Sequence, residues 1–217
     1  MKAILFDLDG TIINSEEGIT KCVQYALRNF GIEEPDLSKL RCFIGPPLEP
    51  MFMEKYGFDK EKAWQGVVKY RERFDVYGIL ECVIYEGVAD AIRYLKNAGY
   101  VLAIASSKPE SACKIIIENL GLTKYFDMIV GSTLDGSISS KEEVLEELGR
   151  RMADRNISKK EMCLIGDTKF DAIGATAFGI PCIGVSYGFG TRESLEENGA
   201  VVVFDKIEEV VKYIEEN

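Results

Sequence analysis

Two carboxylates close the first apolar run of the chain: Asp7 and Asp9 follow Ala3-Ile4-Leu5-Phe6 and precede Gly10-Thr11. In an extended strand, side chains two residues apart share a face, so this pair converges on one point beyond the strand end. Anions that close need a cation, or must share a proton. Gly10 can take backbone angles closed to other residues and lets a ligand approach the main chain, while Thr11 sets a hydroxyl beside the carboxylates. Carboxylates that gather a hard cation and stand ready as nucleophile and acid suit phosphoryl transfer. An Asp-rich surface turn has the same spelling, so the rest of the chain decides between the two.

Other polar groups also follow apolar runs, at the edge where open α/β sheets bind ligands. Ser106 follows Val101 to Ala105, Asp167 follows Cys163 to Gly166, and Asp171 stands one helical turn later. Lys141 opens a helical pattern after the loop from Gly131 to Ser140. Three acids, a hydroxyl and an ammonium at one edge make a magnesium cage with a phosphate seat beside it. The 217 residues contain no histidine, which removes His-ligated zinc, histidine-activated nucleophiles and histidine phosphotransfer together. The net charge of −10 opposes binding to nucleic-acid backbones, so an anionic substrate needs a local positive site.

The elements that position these groups come from alternation along the chain. Strands are expected at Ala3 to Phe6, Val101 to Ala105, Met128 to Val130, Cys163 to Ile165, Cys182 to Val185 and Ala200 to Phe204. Helices are expected at 88–97, 110–120, 142–155 and 171–178, three of them closed by Gly99, Gly121 and Gly179. Continuous apolar strands separated by helices predict a Rossmann-like α/β fold, a parallel sheet sandwiched by helices. Residues 15–82 exceed what one crossover helix needs and read as an inserted all-helical cap domain, leaving 1–14 and 83–217 as the core. Within the insert, Ile19, Val23, Ala26, Leu27 and Phe30 recur at helical spacing, and Asn14 with Glu17 fits a capping box. A second helical pattern runs from Asp59 to Phe74 and carries Trp64, the sole tryptophan.

These residues together resemble the haloacid dehalogenase superfamily over nearly the whole chain. The resemblance rests on Asp7-Leu8-Asp9-Gly10-Thr11 for D-x-D-x-[TV], Ser106 after a hydrophobic strand, Lys141, and Asp167 with Asp171 in G-D-x-x-x-D. The position of the insert resembles the phosphoglycolate phosphatase-like and 5'-nucleotidase-like branch. The resemblance implies that Asp7 attacks phosphorus to form an aspartyl-phosphate and that Asp9 acts as acid and then base. It implies Mg²⁺ held by Asp7, the Asp9 main-chain carbonyl and Asp167, and phosphate held by Thr11, Ser106, Ser107 and Lys141. Asp171 is expected to orient its neighbours rather than bind metal. Lys141 is followed by Glu142 rather than the common proline, and Ser106-Ser107 stands where Thr-Asn is frequent.

Rival readings exist for several of these positions. Ser107 suits a helix cap ahead of Pro109, and Lys108 competes with Lys141 for phosphate. Gly184 to Gly190 reads as a plain loop, lacking either nucleotide-binding glycine order. Cys22 and Arg28 satisfy C-x5-R, but the bulky helix formers between them cannot wrap amides around a phosphate. A phosphomutase, a phosphonate hydrolase using Lys21 as Schiff base, and a catalytically silent metabolite-binding module are the competing functions. In the insert, Arg41, Phe43, Gly45 and Arg73 are candidates for leaving-group contact, with Phe43, Trp64 and Tyr70 read alternatively as insert core. The six cysteines lie scattered without a C-x-x-C pair, as reduced thiols do. No leader pattern opens the sequence, and nowhere do about 18 apolar residues run together. A cytoplasmic protein, monomer or homodimer, acting on a small phosphorylated metabolite and binding neither nucleic acid nor membrane, is the expectation.

Overall fold

The first apolar run is β1 (Ala3–Phe6), buried at all four positions in the computed structural model, which describes residues 1–217. β2 (Ile13–Asn14) leads into α1 (Glu16–Arg28), α2 (Leu48–Tyr56) and α3 (Lys60–Arg73), and β3 (Val83–Ile84) leads out again. Strands and helices then alternate: α4 (Val88–Asn97), β4 (Val101–Pro109), α5 (Glu110–Asn119), β5 (Met128–Ser132), α6 (Lys141–Ala153) and β6 (Met162–Gly166). The chain ends with α7 (Lys169–Phe178), β7 (Cys182–Val185), α8 (Arg192–Glu197), β8 (Ala200–Phe204) and α9 (Ile207–Glu216). It divides into two compact units, Met1–Ile13 with Ile84–Asn217, and Asn14–Val83. No helix is long and apolar enough to cross a membrane.

The first unit is α/β. Its six strands run in the order β5-β4-β1-β6-β7-β8, every adjacent pair parallel. Ala3 sits in register with Val101 on one side and Met162 on the other. The strand order therefore reverses direction at β1, the switch point where an open α/β sheet leaves a crevice at its C-terminal edge. Leu5, Ala103, Val130 and Leu164 pack with Leu145, Leu148, Ala172 and Phe178 of α6 and α7 in one core cluster, which fixes those helices on the sheet. α4 buries Val88, Ala91, Ile92 and Leu95, the stripe that helical spacing predicts.

Element ends differ from the expected ones for local reasons. β4 continues past Ala105 to Pro109, with an irregular register against β5 between Ser106 and Pro109. A bulge carries the strand through residues that spell a turn. α6 and α7 begin at Lys141 and Lys169 because capping boxes, Ser140 with Glu143 and Thr168 with Asp171, set their first turns. The β2–β3 pair and helices α8 and α9 were not expected from the sequence; two-residue strands carry no periodicity to read.

The second unit is helical with an aromatic interior. Phe52 lies 5.0 Å from Phe43 and 5.9 Å from Phe58, and Phe58 lies 5.0 Å from Phe30, measured between ring centres. α3 is capped by the Asp59 side chain on the Lys62 N–H, and α1 buries Ile19, Val23, Ala26 and Leu27. The capping box expected from Asn14 and Glu17 does not form. Asn14 Oδ1 accepts from the Glu16 N–H at 3.0 Å, as an Asx turn does, which moves the N-cap to Ser15. The Ser15 hydroxyl is buried and finds no partner. Trp64, read alternatively as insert core, is 47 % exposed and stacks with Arg71, whereas Phe43 and Tyr70 are buried. Cys22 and Arg28 both sit on α1, so C-x5-R is not a phosphate loop. All six cysteines are free thiols.

Candidate active site

β1 delivers the first carboxylate. The Asp7 N–H bonds the Ile165 carbonyl at 2.9 Å, so the residue still belongs to the β1–β6 ladder while its side chain stands at the sheet edge. β6 delivers Asp167 one residue beyond Gly166, and the first turn of α7 delivers Asp171. Oxygens from these three buried carboxylates lie within 4.8 Å of one another. Lys141, at the start of α6, donates to Asp7 Oδ1 at 2.6 Å and to the Ala105 carbonyl at 2.7 Å, and pairs with Asp171 Oδ1 at 2.8 Å. Those contacts use all three N–H donors of its ammonium.

Three carboxylates face one ammonium, and the electrostatics register the imbalance. Burial pushes the Asp7 carboxyl up to about 6; Lys141 opposes the rise, while Asp171 and Asp9 add to it. Asp167 is raised well above the usual carboxylate range by burial, then by Asp171 and Asp7, against hydrogen bonds from the Phe189 N–H and Thr11. Burial works against charge on Lys141 too, yet Asp171 and Asp7 more than offset it and hold the ammonium above its ordinary value. The cluster lacks two positive charges, the charge of one divalent cation, and its donors are hard carboxylate oxygens. The residues present therefore fit magnesium.

The expected residues divide on inspection. Asp7, Lys141, Asp167 and Asp171 converge, and Ser106 is buried within β4, the strand next to β1 in the sheet. Asp9 is close but differently engaged: both its carboxylate oxygens are held by Lys108, at 3.0 and 2.8 Å. Thr11, expected to meet phosphate through its hydroxyl, is fully buried and donates instead to Asp167 Oδ1 at 3.2 Å. Neither Ser106 nor Ser107 caps α5, whose N-cap is Pro109; Ser106 Oγ accepts from the Lys108 N–H at 3.3 Å. Asp171 is shared between Lys141 and the Thr168 cap, which restrains α7 as well as the lysine.

The loop from Ser186 to Gly190 is the part that sequence reading missed. The Phe189 N–H donates to Asp167 Oδ2 at 2.7 Å, and Tyr187 Oη donates to the Thr11 carbonyl at 2.9 Å. A Cβ on Gly188 would stand 2.4 Å from Asp167 Oδ2, and one on Gly10, which has φ +90°, would stand 2.0 Å from the same oxygen. Only glycine lets both backbones approach that carboxylate. The density of glycine after β7 was the available signal, and its lack of a nucleotide-binding order concealed its use.

The insert candidates do not gather. Arg41 pairs with Glu16 at 2.6 Å, Arg73 makes a two-pronged bond to Glu81 at 2.7 and 2.8 Å, and Gly45 is an exposed turn at φ +102°. The Phe43 ring packs against Phe52 in the aromatic interior, which matches the alternative reading of this residue as insert core. Lys21 is paired with Glu17 and Glu81, whose hydrogen bonds and charges raise its pKa.

Comparison with known proteins identifies the family. The family described as haloacid dehalogenase-like hydrolase matches residues 4–185. A 5'-nucleotidase of Pseudomonas aeruginosa is 43% identical over 192 residues, covering 88% of this chain and 86% of that protein. The tyrosine-protein kinase PtkA of Mycobacterium tuberculosis is 30% identical over 200 residues, 92% of this chain and 67% of that one. A crystal structure of a predicted phosphatase from Clostridium acetobutylicum superposes with a TM-score of 0.93 at 44% identity, covering 100% of this chain and 99% of that one. With the match spanning most of its length and the acidic edge of β1 and β6 intact, the chain belongs to the haloacid dehalogenase-like hydrolase family.

Proposed function

We propose that this hydrolase releases phosphate from small phosphomonoesters, with Asp7 as nucleophile and Mg²⁺ as cofactor. The observation that carries the reading is the surplus of buried carboxylate at the switch point: Asp7, Asp167 and Asp171 around Lys141. Asp7, Asp167 and the Asp9 main-chain carbonyl would hold the ion, which when bound neutralises the site and polarises phosphoryl oxygens.

In the first half-reaction an Asp7 oxygen bonds phosphorus as the bond from phosphorus to the leaving oxygen breaks. The Asp9 carboxyl gives its proton to that oxygen, so an alcohol departs. In the second, a water oxygen bonds phosphorus, its proton passes to the Asp9 carboxylate, and the Asp7–phosphorus bond breaks to release inorganic phosphate. Lys141 restrains Asp7 on the attack side and contributes a fixed positive charge rather than a spare N–H donor. Ser106, buried within β4, supplies a hydroxyl for a phosphoryl oxygen. The helical unit, inserted in the chain after Ile13, is proposed to select the leaving group.

Incubation with Mg²⁺ and a panel of nucleoside monophosphates, phosphoglycolate and sugar phosphates tests the reading. Phosphate release from at least one ester, abolished in Asp7→Asn, is expected. No release from any ester, or an active Asp7→Asn, overturns it. The similarity to a protein named as a tyrosine kinase favours one second reading, transfer from phospho-Asp7 to a hydroxyl other than water. A phosphorylated acceptor in place of free phosphate would identify it.

A further inference from the structure

Lys108 has no part in the reaction as described, yet its side chain is only 7% exposed, with the ammonium on both oxygens of Asp9. An ordinary lysine keeps its head in water. The main chain that presents it is also built with care. Lys108 lies in the bulged end of β4, and bulges re-aim side chains beside active sites. Its N–H is taken by Ser106 Oγ at 3.3 Å and its carbonyl by the Cys113 thiol at 3.6 Å. Across the sheet, Gly131 of β5 passes so close that a Cβ there would stand 2.5 Å from the Lys108 carbonyl oxygen. A bulge, a hydroxyl, a thiol and a bare glycine thus fix one residue, and its ammonium meets Asp9.

We propose that Lys108 is a positioning residue: it holds the Asp9 carboxyl in the orientation from which a proton reaches the leaving oxygen. The inference rests on the assignment of Asp9 as acid in the first half-reaction. Lys141 meets Asp7 and Asp171, whereas Lys108 meets Asp9, so the two lysines have separate tasks. A carboxyl that swings freely is a poor proton donor, because a misplacement of about 1 Å can cost on the order of a hundredfold in rate.

The test uses kcat/KM, which reports only steps up to departure of the alcohol. Wild type, Lys108→Ala, Lys108→Arg, Lys108→Met and Asp9→Asn are compared on p-nitrophenyl phosphate, whose leaving group departs without a proton, and on an alkyl phosphate that needs one. Lys108→Ala and Lys108→Met are expected to lose about 10- to 100-fold on the alkyl ester and under about threefold on the aryl ester, with Lys108→Arg restoring most of the loss. Adding Lys108→Ala to Asp9→Asn should change kcat/KM on the alkyl ester by less than about twofold, since there is no longer an acid to position. An equal loss on both esters would make Lys108 a phosphate-binding cation and overturn the proposal, as would no loss on either. If Asp9→Asn itself shows no preference between the esters, it is the acid assignment that fails.

Discussion

The two units handle charge in opposite ways. In the α/β unit, Asp7, Asp167 and Asp171 are buried around one ammonium, and burial raises the pKa of both Asp7 and Asp167. In the helical unit the interior is a set of rings, Phe43, Phe52 and Phe58, while charges such as Arg41 with Glu16 and Arg28 with Glu33 pair off toward solvent. Burying like charges weakens a fold, and packing aromatic rings strengthens it. One unit holds an electrostatic deficit that a ligand can relieve; the other spends its sequence on cohesion. A substitution of a buried residue should therefore be read through activity in the first unit and through stability in the second.

The largest effect expected is on activity. Asp7→Asn removes the nucleophile and should lower kcat by on the order of 10⁴-fold or more, measured as phosphate release with Mg²⁺. Lys141 keeps its Asp171 and Ala105 partners in that variant, so the protein should fold. A comparable loss from Arg41→Ala, in the helical unit, would break the contrast.

Next is the aromatic interior. Phe52 is fully buried, and Gly66 leaves room for its ring, with a Cβ there only 3.1 Å from the ring edge. Phe52→Ala should cost about 3–5 kcal/mol in denaturant unfolding, because the rings around it cannot all collapse into the space. A cost under about 1 kcal/mol would mean the helical unit is not held by those rings.

Metal sharpens the contrast from the other side. Chelator-treated protein should be stabilised by Mg²⁺, by about 2.7 kcal/mol at a hundredfold excess over Kd, through relief of the carboxylate crowding. The gain should vanish in Asp167→Asn, which removes one charge from the cluster while its amide oxygen can still accept from the Phe189 N–H and its NH2 can donate to the Thr11 hydroxyl. An equal gain in that variant would place the ion elsewhere.

How much of this was legible follows the same division. The strands of a parallel sheet read as apolar runs, and Asp7, Ser106 and Asp167 each follow such a run in β1, β4 and β6, so position alone pointed to them. What escaped was contact between distant loops: Thr11 with Asp167, Phe189 with Asp167, Lys108 with Asp9. Spacing along a chain cannot encode those. In the helical unit, periodicity located α1 and α3 but could not say which arginine is already occupied. Arg73 meets Glu81 only because a turn of π-helix, Phe74–Gly78, brings the chain round. Trp64 fails for a related reason: α3 has an apolar residue on its solvent side, and composition does not distinguish faces.

The smallest effect concerns an acid of the α/β unit outside the cluster, where pairing is complete. Burial alone would raise Asp127. The Lys96 ammonium, the Leu102 N–H at 3.0 Å and the Arg155 guanidinium at 3.2 Å outweigh it and hold the carboxyl below its ordinary value. A depressed folded pKa contributes stability that is fully present above the unfolded value of about 3.9 and is lost as pH falls through the folded one. Asp127→Asn should therefore cost about 1–2 kcal/mol at pH 7, seen in denaturant unfolding, and the gap from wild type should close below pH about 4 as the wild-type carboxyl takes up its proton. A gap that stays constant through that range would mean Asp127 acts by shape and hydrogen bonding alone. The contrast between the units would then be one of burial rather than of charge.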